Sequence, residues 1–213
     1  MKKIELHIFT NATVNAPSTE IIEQTYKSFC EKFQFKNNPI VWYDPKPNKD
    51  SANIYLERLE KIFPTVNLTS SLSDGYKKSV LSSNAEFLFM LEHDWLFLET
   101  IKHSLEEICN QMILDNLLHL RFNKRKNITK GLDTYLNEVV GKNFTYCKTP
   151  SLSNNPHIIQ KDLYKKIALQ YVKVSKSSMG IEHKLSPIKH LEGAIYGPME
   201  YHATIEHLDG RSL

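Results

Sequence analysis

Short apolar segments alternate with amphipathic ones through the first hundred residues, and this order constrains the fold more than any other feature of the sequence. Strand patterns cover 4–11, 39–44, 65–70 and 86–95, and helix patterns cover 16–33, 51–63 and 74–84. Such alternation is typical of a parallel sheet with helices packed on it, joined by right-handed crossovers. We therefore predict an α/β fold with an open, doubly wound, mainly parallel sheet and helices on both faces.

The second half of the chain has a less regular pattern. A helix is predicted at 101–113, a strand at 117–123, an irregular polar excursion at 124–143, a helix at 156–172 and an extended tail at 196–213. A length of 213 residues with 41% hydrophobic content is enough for one full core. No repeat or linker divides the chain, so we predict a single domain over 1–213.

Net charge, cysteine spacing and hydropathy indicate which partners and which cellular compartment the protein can have. The net charge of +3 neither requires nor excludes a polyanionic partner. The three cysteines, Cys30, Cys109 and Cys147, are far apart and lack a C-x-x-C spacing, which favours a reducing compartment. No segment reads as a signal peptide or a membrane span. We expect a soluble, cytoplasmic protein.

Polar residues stand at the end of three predicted strands. They are Thr10 and Asn11, then Asp44, and then Glu92, His93 and Asp94. In an open parallel sheet the carboxyl ends of the strands meet at one edge, where ligands bind. The sequence therefore predicts one polar site built from all three strand ends.

The acidic end of the fourth strand indicates a metal. Glu92 and Asp94 are separated by one residue, so an extended segment would point both carboxylates the same way and His93 away from them. Two such carboxylates repel unless a cation compensates, and a divalent metal carrying a diphosphate would do so. The alternative is a surface turn with solvated acids. The buried strand before the acids and the apolar Trp95 after them favour the metal.

These segments together resemble the nucleotide-sugar glycosyltransferases of the GT-A fold. The resemblance rests on the order of "HIFTNATVN", "IVWYDPKPN" and "SDGYKKSVLSSNAEFLFMLEHDW", the last carrying Glu92-His93-Asp94 where the family has its D-x-D motif. It implies that residues 1–100 bind a nucleotide sugar, most often a UDP-sugar, and that 101–213 bind the acceptor. The implied donor-side residues are Thr10, Asn11, Asp44 and Glu92, with Lys77 or Lys78 reaching the diphosphate as a point charge.

The resemblance also implies a metal and a catalytic base. Mn²⁺ or Mg²⁺ would be held by Asp94, Glu92 and a late histidine, for which His207 is the first candidate and His202 the alternative; imidazole suits Mn²⁺ better. In inverting members of the fold a late acid deprotonates the acceptor hydroxyl. Glu182 and Glu192 are the two candidates for that base.

Two segments are candidates for the acceptor side. Asn154 and Asn155 offer amide groups, although Asn155 followed by Pro156 also reads as a plain helix start. The basic run from Arg121 through Lys124 and Arg125 to Lys130 can neutralise phosphates, although such runs are often only solvated loops. From this run we expect a DNA acceptor, resembling phage enzymes that glycosylate 5-hydroxymethylcytosine; a glycan or lipid-linked acceptor is the alternative.

Two other classes of protein compete with the glycosyltransferase. A nucleotidyltransferase would also use acids and a metal, but it normally has a glycine-rich nucleotide loop, and "FTNATVNAPS" contains no glycine. A non-catalytic nucleic-acid-binding module would use the basic run and would have no need of the converging acids.

Overall fold

A computed structural model describes residues 2–11, 17–45, 51–130, 133, 135–174, 181–185, 187–188 and 190–208. The strands are β1 (Ile4–Asn11), β2 (Ile40–Asp44), β3 (Val66–Leu68), β4 (Phe87–Glu92), β5 (Trp95–Phe97), β6 (His119–Arg121), β7 (Asn137–Val140), β8 (Thr145–Thr149), β9 (His157–Gln160), β10 (Gly193–Tyr196) and β11 (Ile205–His207). The helices are α1 (Glu20–Phe33), α2 (Ser51–Ile62), α3 (Leu72–Ser82), α4 (Leu105–Leu114), α5 (Lys161–Ile167) and α6 (Glu182–Leu185), with a 3₁₀ turn at Leu169–Tyr171.

A nine-stranded mixed sheet in the order β3-β2-β1-β4-β9-β6-β10-β8-β7 organises these elements, and β5 and β11 form a separate two-stranded sheet. The predicted α/β class with a parallel core is confirmed. Across the described residues, no helix combines the length and the apolar character needed to cross a bilayer.

The parallel half of the sheet is the half that the alternating pattern predicted. β1 pairs in parallel with both β2 and β4, and β2 pairs in parallel with β3. In this register Asn11 lies opposite Asp44, and Phe9 lies opposite Glu92. The polar ends of three strands are therefore neighbours at one edge of the sheet, which we call the carboxyl edge.

The other half of the sheet differs from the sequence prediction. Residues 157–160, predicted as the start of a helix, form β9, which pairs antiparallel with both β4 and β6. The polar excursion contains the whole of β7, which was not predicted, and neither were β8 and β10. A strand of four residues with neighbours on both sides has too short a pattern to be separated from a helix turn by periodicity.

The two faces of the sheet are covered by different helices, as predicted. Along β4, Phe87, Phe89 and Leu91 pack on the side of α1 and α2, against residues such as Phe29. Leu88 and Met90 face the other way, towards α3 and α5. This is the alternation of a strand buried on both faces.

A pair of buried histidines joins the sheet to α3. The rings of His119 and His157 stack with centroids 4.3 Å apart. His157 donates from Nδ1 to the carbonyl of Asn155 at 2.7 Å and accepts at Nε2 from the Tyr76 hydroxyl at 2.8 Å. Burial lowers the pKa of His157 to about 4 and holds the pKa of His119 well below its ordinary value.

This pair should make the fold sensitive to mild acid. Between pH 6.5 and 4 the unfolded chain binds protons that the folded chain does not, so stability should fall with decreasing pH by up to about 1.4 kcal/mol per pH unit for each histidine. Urea unfolding at pH 4.5 to 7.5 measures the slope. His157→Gln should flatten it, whereas the exposed His202→Gln should leave it as in the parent; equal slopes in all three proteins would contradict the assignment.

Candidate active site

A cleft opens at the carboxyl edge between the ends of β1, β2 and β4. Its lining residues are Phe9, Thr10, Asn11, Trp42, Asp44, Thr69, Leu72, Glu92 and His93. It encloses about 360 Å³, including space open to solvent, which is within the range of small-ligand sites. The four donor-side residues predicted from the strand ends, Thr10, Asn11, Asp44 and Glu92, all line this strand-end cleft.

A smaller pocket of about 210 Å³ adjoins the strand-end cleft and shares Phe9, Leu72 and Glu92 with it. The remaining lining residues are Tyr76, Met90, Leu91, Asn154, His157 and Ile181. We call it the inner pocket. Because β9 runs antiparallel to β4, the segment before β9 reaches the carboxyl edge, and this brings Asn154 of the predicted acceptor side next to Glu92.

The acidic motif is not a continuous strand. β4 ends at Glu92, the chain turns at His93 and Asp94, and β5 begins at Trp95. The prediction that His93 points away from the acids assumed an extended segment, whereas the chain turns at His93 and Asp94. His93 is among the residues that line the strand-end cleft with Glu92, and the direction of its side chain stays a prediction.

Asp94 and His207 come together through the small second sheet. β11 pairs antiparallel with β5, placing His207 opposite Trp95, and the amide of Leu208 donates to the carbonyl of Asp94 at 2.8 Å. The imidazole Nε2 of His207 lies 3.4 Å from a carboxylate oxygen of Asp94, with both side chains about nine-tenths buried. The predicted histidine of the tail therefore reaches the predicted acid across more than a hundred residues.

This pair fits part of a metal site. A carboxylate oxygen and an imidazole nitrogen are a donor set that suits Mn²⁺. The described residues contain no group of three or more histidine, cysteine or acidic side chains arranged to hold an ion, so Glu92 does not complete a protein-only site with the pair. An ion held here would take its other ligands from a bound diphosphate and water, as divalent ions at phosphate sites commonly do.

The two candidate bases lie at different places. The carboxylate of Glu182, at the start of α6, accepts from the backbone amide of Asn154 at 3.1 Å and from the Ser153 hydroxyl at 3.4 Å. Asn154 lines the inner pocket and Ile181, the residue before Glu182, does so too. Glu182 is therefore beside the candidate site.

Glu192 lies at the opposite edge of the sheet. It immediately precedes β10, which is parallel to β6, and β6 and β4 are both antiparallel to β9. The start of β10 is therefore at the amino end of the parallel strands. There Glu192 forms an ion pair with Lys148 at 3.0 Å and lines a separate groove of about 1050 Å³, including space open to solvent. Its prediction as a catalytic base is not supported by this placement.

The lysines of α3 are not among the residues that line either space. Lys78 donates to Asp74, four residues earlier on the same helix, at 2.8 Å. Lys77 is partly exposed on the same helix. The predicted contact of either lysine with a diphosphate stays a prediction.

Within the basic run, Arg121 and Arg125 form ion pairs with Asp133, a cluster that we call the buried brace, whereas Lys126 and Lys130 are exposed. Arg121 is buried, its guanidinium donates to the buried carboxylate of Asp133, and burial lowers its pKa. Arg125 also donates to Asp133, at 3.2 Å, and to the carbonyl of Lys130 at 2.8 Å. The prediction that Arg121 grips an acceptor is wrong, because its charged group is inside the protein. Lys124 is partly exposed.

Asn127 joins the basic run to the segment that follows β10. Its side-chain amide is almost fully buried and donates to the carbonyls of Tyr196, Gly197 and Pro198. Polar composition alone predicts a solvated loop here, whereas these polar groups form hydrogen bonds within the protein and not with water. Asp133, which the sequence analysis did not single out, is the partner that allows two arginines here.

The comparisons with known proteins concern the fold. No family model matches the chain, and no curated protein matches it in sequence. Solved structures do match. One is the crystal structure of S. aureus TarS 1-349, with a TM-score of 0.56, 11% identity and coverage of 95% of this chain and 59% of that one. Another is GalNAc-T7 with UDP, GalNAc and Mn²⁺, with a TM-score of 0.64, 9% identity and coverage of 97% and 44%.

The chain has a GT-A fold. At this identity the likeness establishes the fold alone, and it agrees with the order of segments on which the resemblance was based. The chain spans 59% and 44% of the lengths of the two matched chains. The likeness therefore does not establish the ligand or the activity of this chain.

The buried brace leads to a stability prediction. Asp133→Asn removes the charge that offsets two guanidinium groups, and breaking a buried ion pair from one side typically costs about 3–5 kcal/mol. The matched control is Glu200→Gln, which removes the partner of the exposed Lys126 and should change stability by about 0.5 kcal/mol or less. Urea unfolding of the three proteins measures both. Equal stability of Asp133→Asn and the parent would mean that the brace does not stabilise the fold.

Proposed function

We propose that the protein is a metal-dependent glycosyltransferase that moves a sugar from a nucleotide sugar, taken here as a UDP-sugar, to an acceptor hydroxyl. The observation that carries the proposal is the convergence of Thr10, Asn11, Asp44 and Glu92 on one cleft in a GT-A fold, with the Asp94–His207 pair beginning one residue after the cleft-lining His93. Residues 1–100 would supply most of the donor side and residues 101–213 the acceptor side.

The strand-end cleft has the chemistry of a nucleoside site. Trp42 and Phe9 give it an apolar wall, and the carboxylate of Asp44 with the side chain of Asn11 offers acceptors and donors beside that wall. A ribose or base edge needs groups of this kind to fix its orientation over an apolar surface. The hydroxyl of Thr10 is buried and shares a hydrogen bond of 2.9 Å with the hydroxyl of Tyr55. Glu92 lies where the strand-end cleft meets the inner pocket, at the boundary between nucleoside and sugar.

Asp94 and His207 would hold the divalent ion. When bound, the ion neutralises charge that develops on the departing diphosphate. Asp94 brings a negative charge that the ion offsets, and His207 brings a neutral donor that adds no charge to repel the diphosphate. GalNAc-T7, one of the matched structures, was solved with UDP and Mn²⁺, which supports Mn²⁺ as the ion to test first.

Glu182 is the proposed base of an inverting reaction. Its carboxylate would accept the proton of the acceptor hydroxyl while the acceptor oxygen bonds to the anomeric carbon and the bond to the diphosphate breaks. The bonds from the Asn154 amide and the Ser153 hydroxyl fix one carboxylate oxygen. The direction of the carboxylate is therefore set before an acceptor binds, which is what a general base requires.

A sugar hydroxyl is a better acceptor candidate than DNA. Two of the five cations between Arg121 and Lys130, the two arginines, pair with the buried carboxylate of Asp133. The arginine fork, which binds phosphate in a bidentate manner, is therefore already engaged within the protein. Asn154 borders Glu182, lines the inner pocket and carries a side-chain amide suited to a neutral hydroxylated acceptor. The side-chain amide of Asn155 donates to the carbonyl of Phe122 instead.

The metal role predicts a selective loss in an isosteric variant. Asp94→Asn should weaken Mn²⁺-dependent UDP binding on the order of 100-fold, because an amide is a much poorer ligand for a hard cation than a carboxylate. UDP binding without metal should stay near that of the parent. Calorimetric titration with UDP, with and without Mn²⁺, gives both values, and Glu206→Gln on the exposed face of β11 is the matched control.

An Asp94→Asn protein that binds UDP with Mn²⁺ as tightly as the parent would exclude Asp94 as a metal ligand. The donor assay also separates the rival function, because a nucleotidyltransferase releases pyrophosphate from a nucleoside triphosphate, whereas the proposed enzyme releases UDP from a UDP-sugar.

The same change at two glutamates tests the base. Glu182→Gln should lower transfer to an acceptor by roughly 10²–10⁴-fold, the usual contribution of a general base, with UDP binding unchanged. Glu192→Gln, at the other edge of the sheet, should transfer at the parental rate. Rates of UDP release from a panel of UDP-sugars with hydroxylated acceptors measure this. Loss of transfer in Glu192→Gln alone would reverse the assignment.

A further inference from the structure

The turn that carries Asp94 is held by one side chain of α1. The hydroxyl of Thr25 donates to the carbonyl of His93 at 2.7 Å and accepts from the backbone amide of Trp95 at 3.1 Å. These are the two peptide groups that flank Asp94. Thr25 has no exposed surface, so water does not compete for either bond.

A second contact holds the same turn from the side of β5. The chain leaves the nine-stranded sheet after Glu92, and β5 pairs with β11 in the two-stranded sheet. On that side the Asp94 carbonyl accepts from the amide of Leu208. Thr25 thus fixes the turn from the side of α1, and the β5–β11 ladder fixes it from the side of His207.

We propose that Thr25 is a positioning residue for the metal pair: its hydroxyl sets the conformation of the His93–Asp94 turn, and with it the distance between the Asp94 carboxylate and His207. The inference rests on the proposed function, since it assigns a role in holding the ion that Asp94 and His207 would bind. Hydrogen bonds that orient metal ligands are important for binding, since their loss typically costs about 10–100-fold in metal affinity. The Thr25 hydroxyl would orient Asp94 in the same way, by fixing the turn that carries it.

The chain offers a matched control on the same helix. Ser28, one turn after Thr25, accepts from the backbone amide of Phe97 at 2.7 Å. It also ties α1 to β5, but at the end of β5 away from Asp94. Loss of the Ser28 bond should therefore loosen the docking of β5 without changing the turn.

Three variants separate positioning from stability. Thr25→Val keeps the branched shape and removes both hydrogen bonds, Thr25→Ser keeps the hydroxyl, and Ser28→Ala removes only the neighbouring bond. Binding of Mn²⁺ to each protein with saturating UDP is followed by the spin-resonance signal of free Mn²⁺, and UDP binding is measured separately without metal. Near-ultraviolet circular dichroism verifies the fold, and Thr25→Ala replaces Thr25→Val if the valine variant does not fold.

We expect Thr25→Val to weaken Mn²⁺ binding by about tenfold or more, with Thr25→Ser and Ser28→Ala within about threefold of the parent and metal-free UDP binding equal in all. Parental Mn²⁺ affinity in Thr25→Val, or equal losses in Thr25→Val and Ser28→Ala, would overturn the positioning role and leave the proposed function intact. A parent protein that binds no Mn²⁺ would overturn the metal site itself and this inference with it.

Discussion

The parallel pairing of β1 with β2 and β4 is the constraint on which the rest of the protein depends. β1 is buried on both faces, and its register sets Asn11 opposite Asp44 and Phe9 opposite Glu92. A shift of one residue in either pairing would exchange the side chains that pack on the two faces of the sheet, and the two cores are filled by different side chains, so the packing fixes the register. Because the core fixes this register, the polar ends of the three strands lie side by side. The strand-end cleft forms where they meet.

The second half of the chain is built around buried polar groups that depend on one another. His157 and Tyr76 tie β9 to α3, and the Arg121–Asp133 pair lies at the end of β6. Each of these groups is costly to bury alone and becomes acceptable only with its partner in place. The antiparallel half is therefore specified by pairs of residues far apart in the sequence, whereas the parallel half is specified by local apolar runs.

The proposed metal pair joins the two halves. Asp94 follows the last strand of the parallel half and His207 comes from the tail, and the β5–β11 ladder brings them within 3.4 Å. Thr25 adds a third element, α1, whose apolar face otherwise packs on the sheet. The same helix thus covers the core and holds the turn at the candidate site, so packing of the core and geometry of the site are not independent.

The sequence by itself determined the α/β class, the strand ends that converge, and the candidates Asp94 and His207, because hydrophobic periodicity and polar strand ends are local signals. The sequence also contained a signal for Thr25, which is spaced between Ile22 and Phe29 on the buried face of α1, where a hydroxyl needs a hydrogen-bond partner. Only the tertiary structure decided that Glu182 and not Glu192 lies at the carboxyl edge, that the chain turns at His93 and Asp94, and that Arg121 is buried against Asp133. Those outcomes depend on strand direction and on partners distant in sequence, and the local sequence around each residue indicates neither.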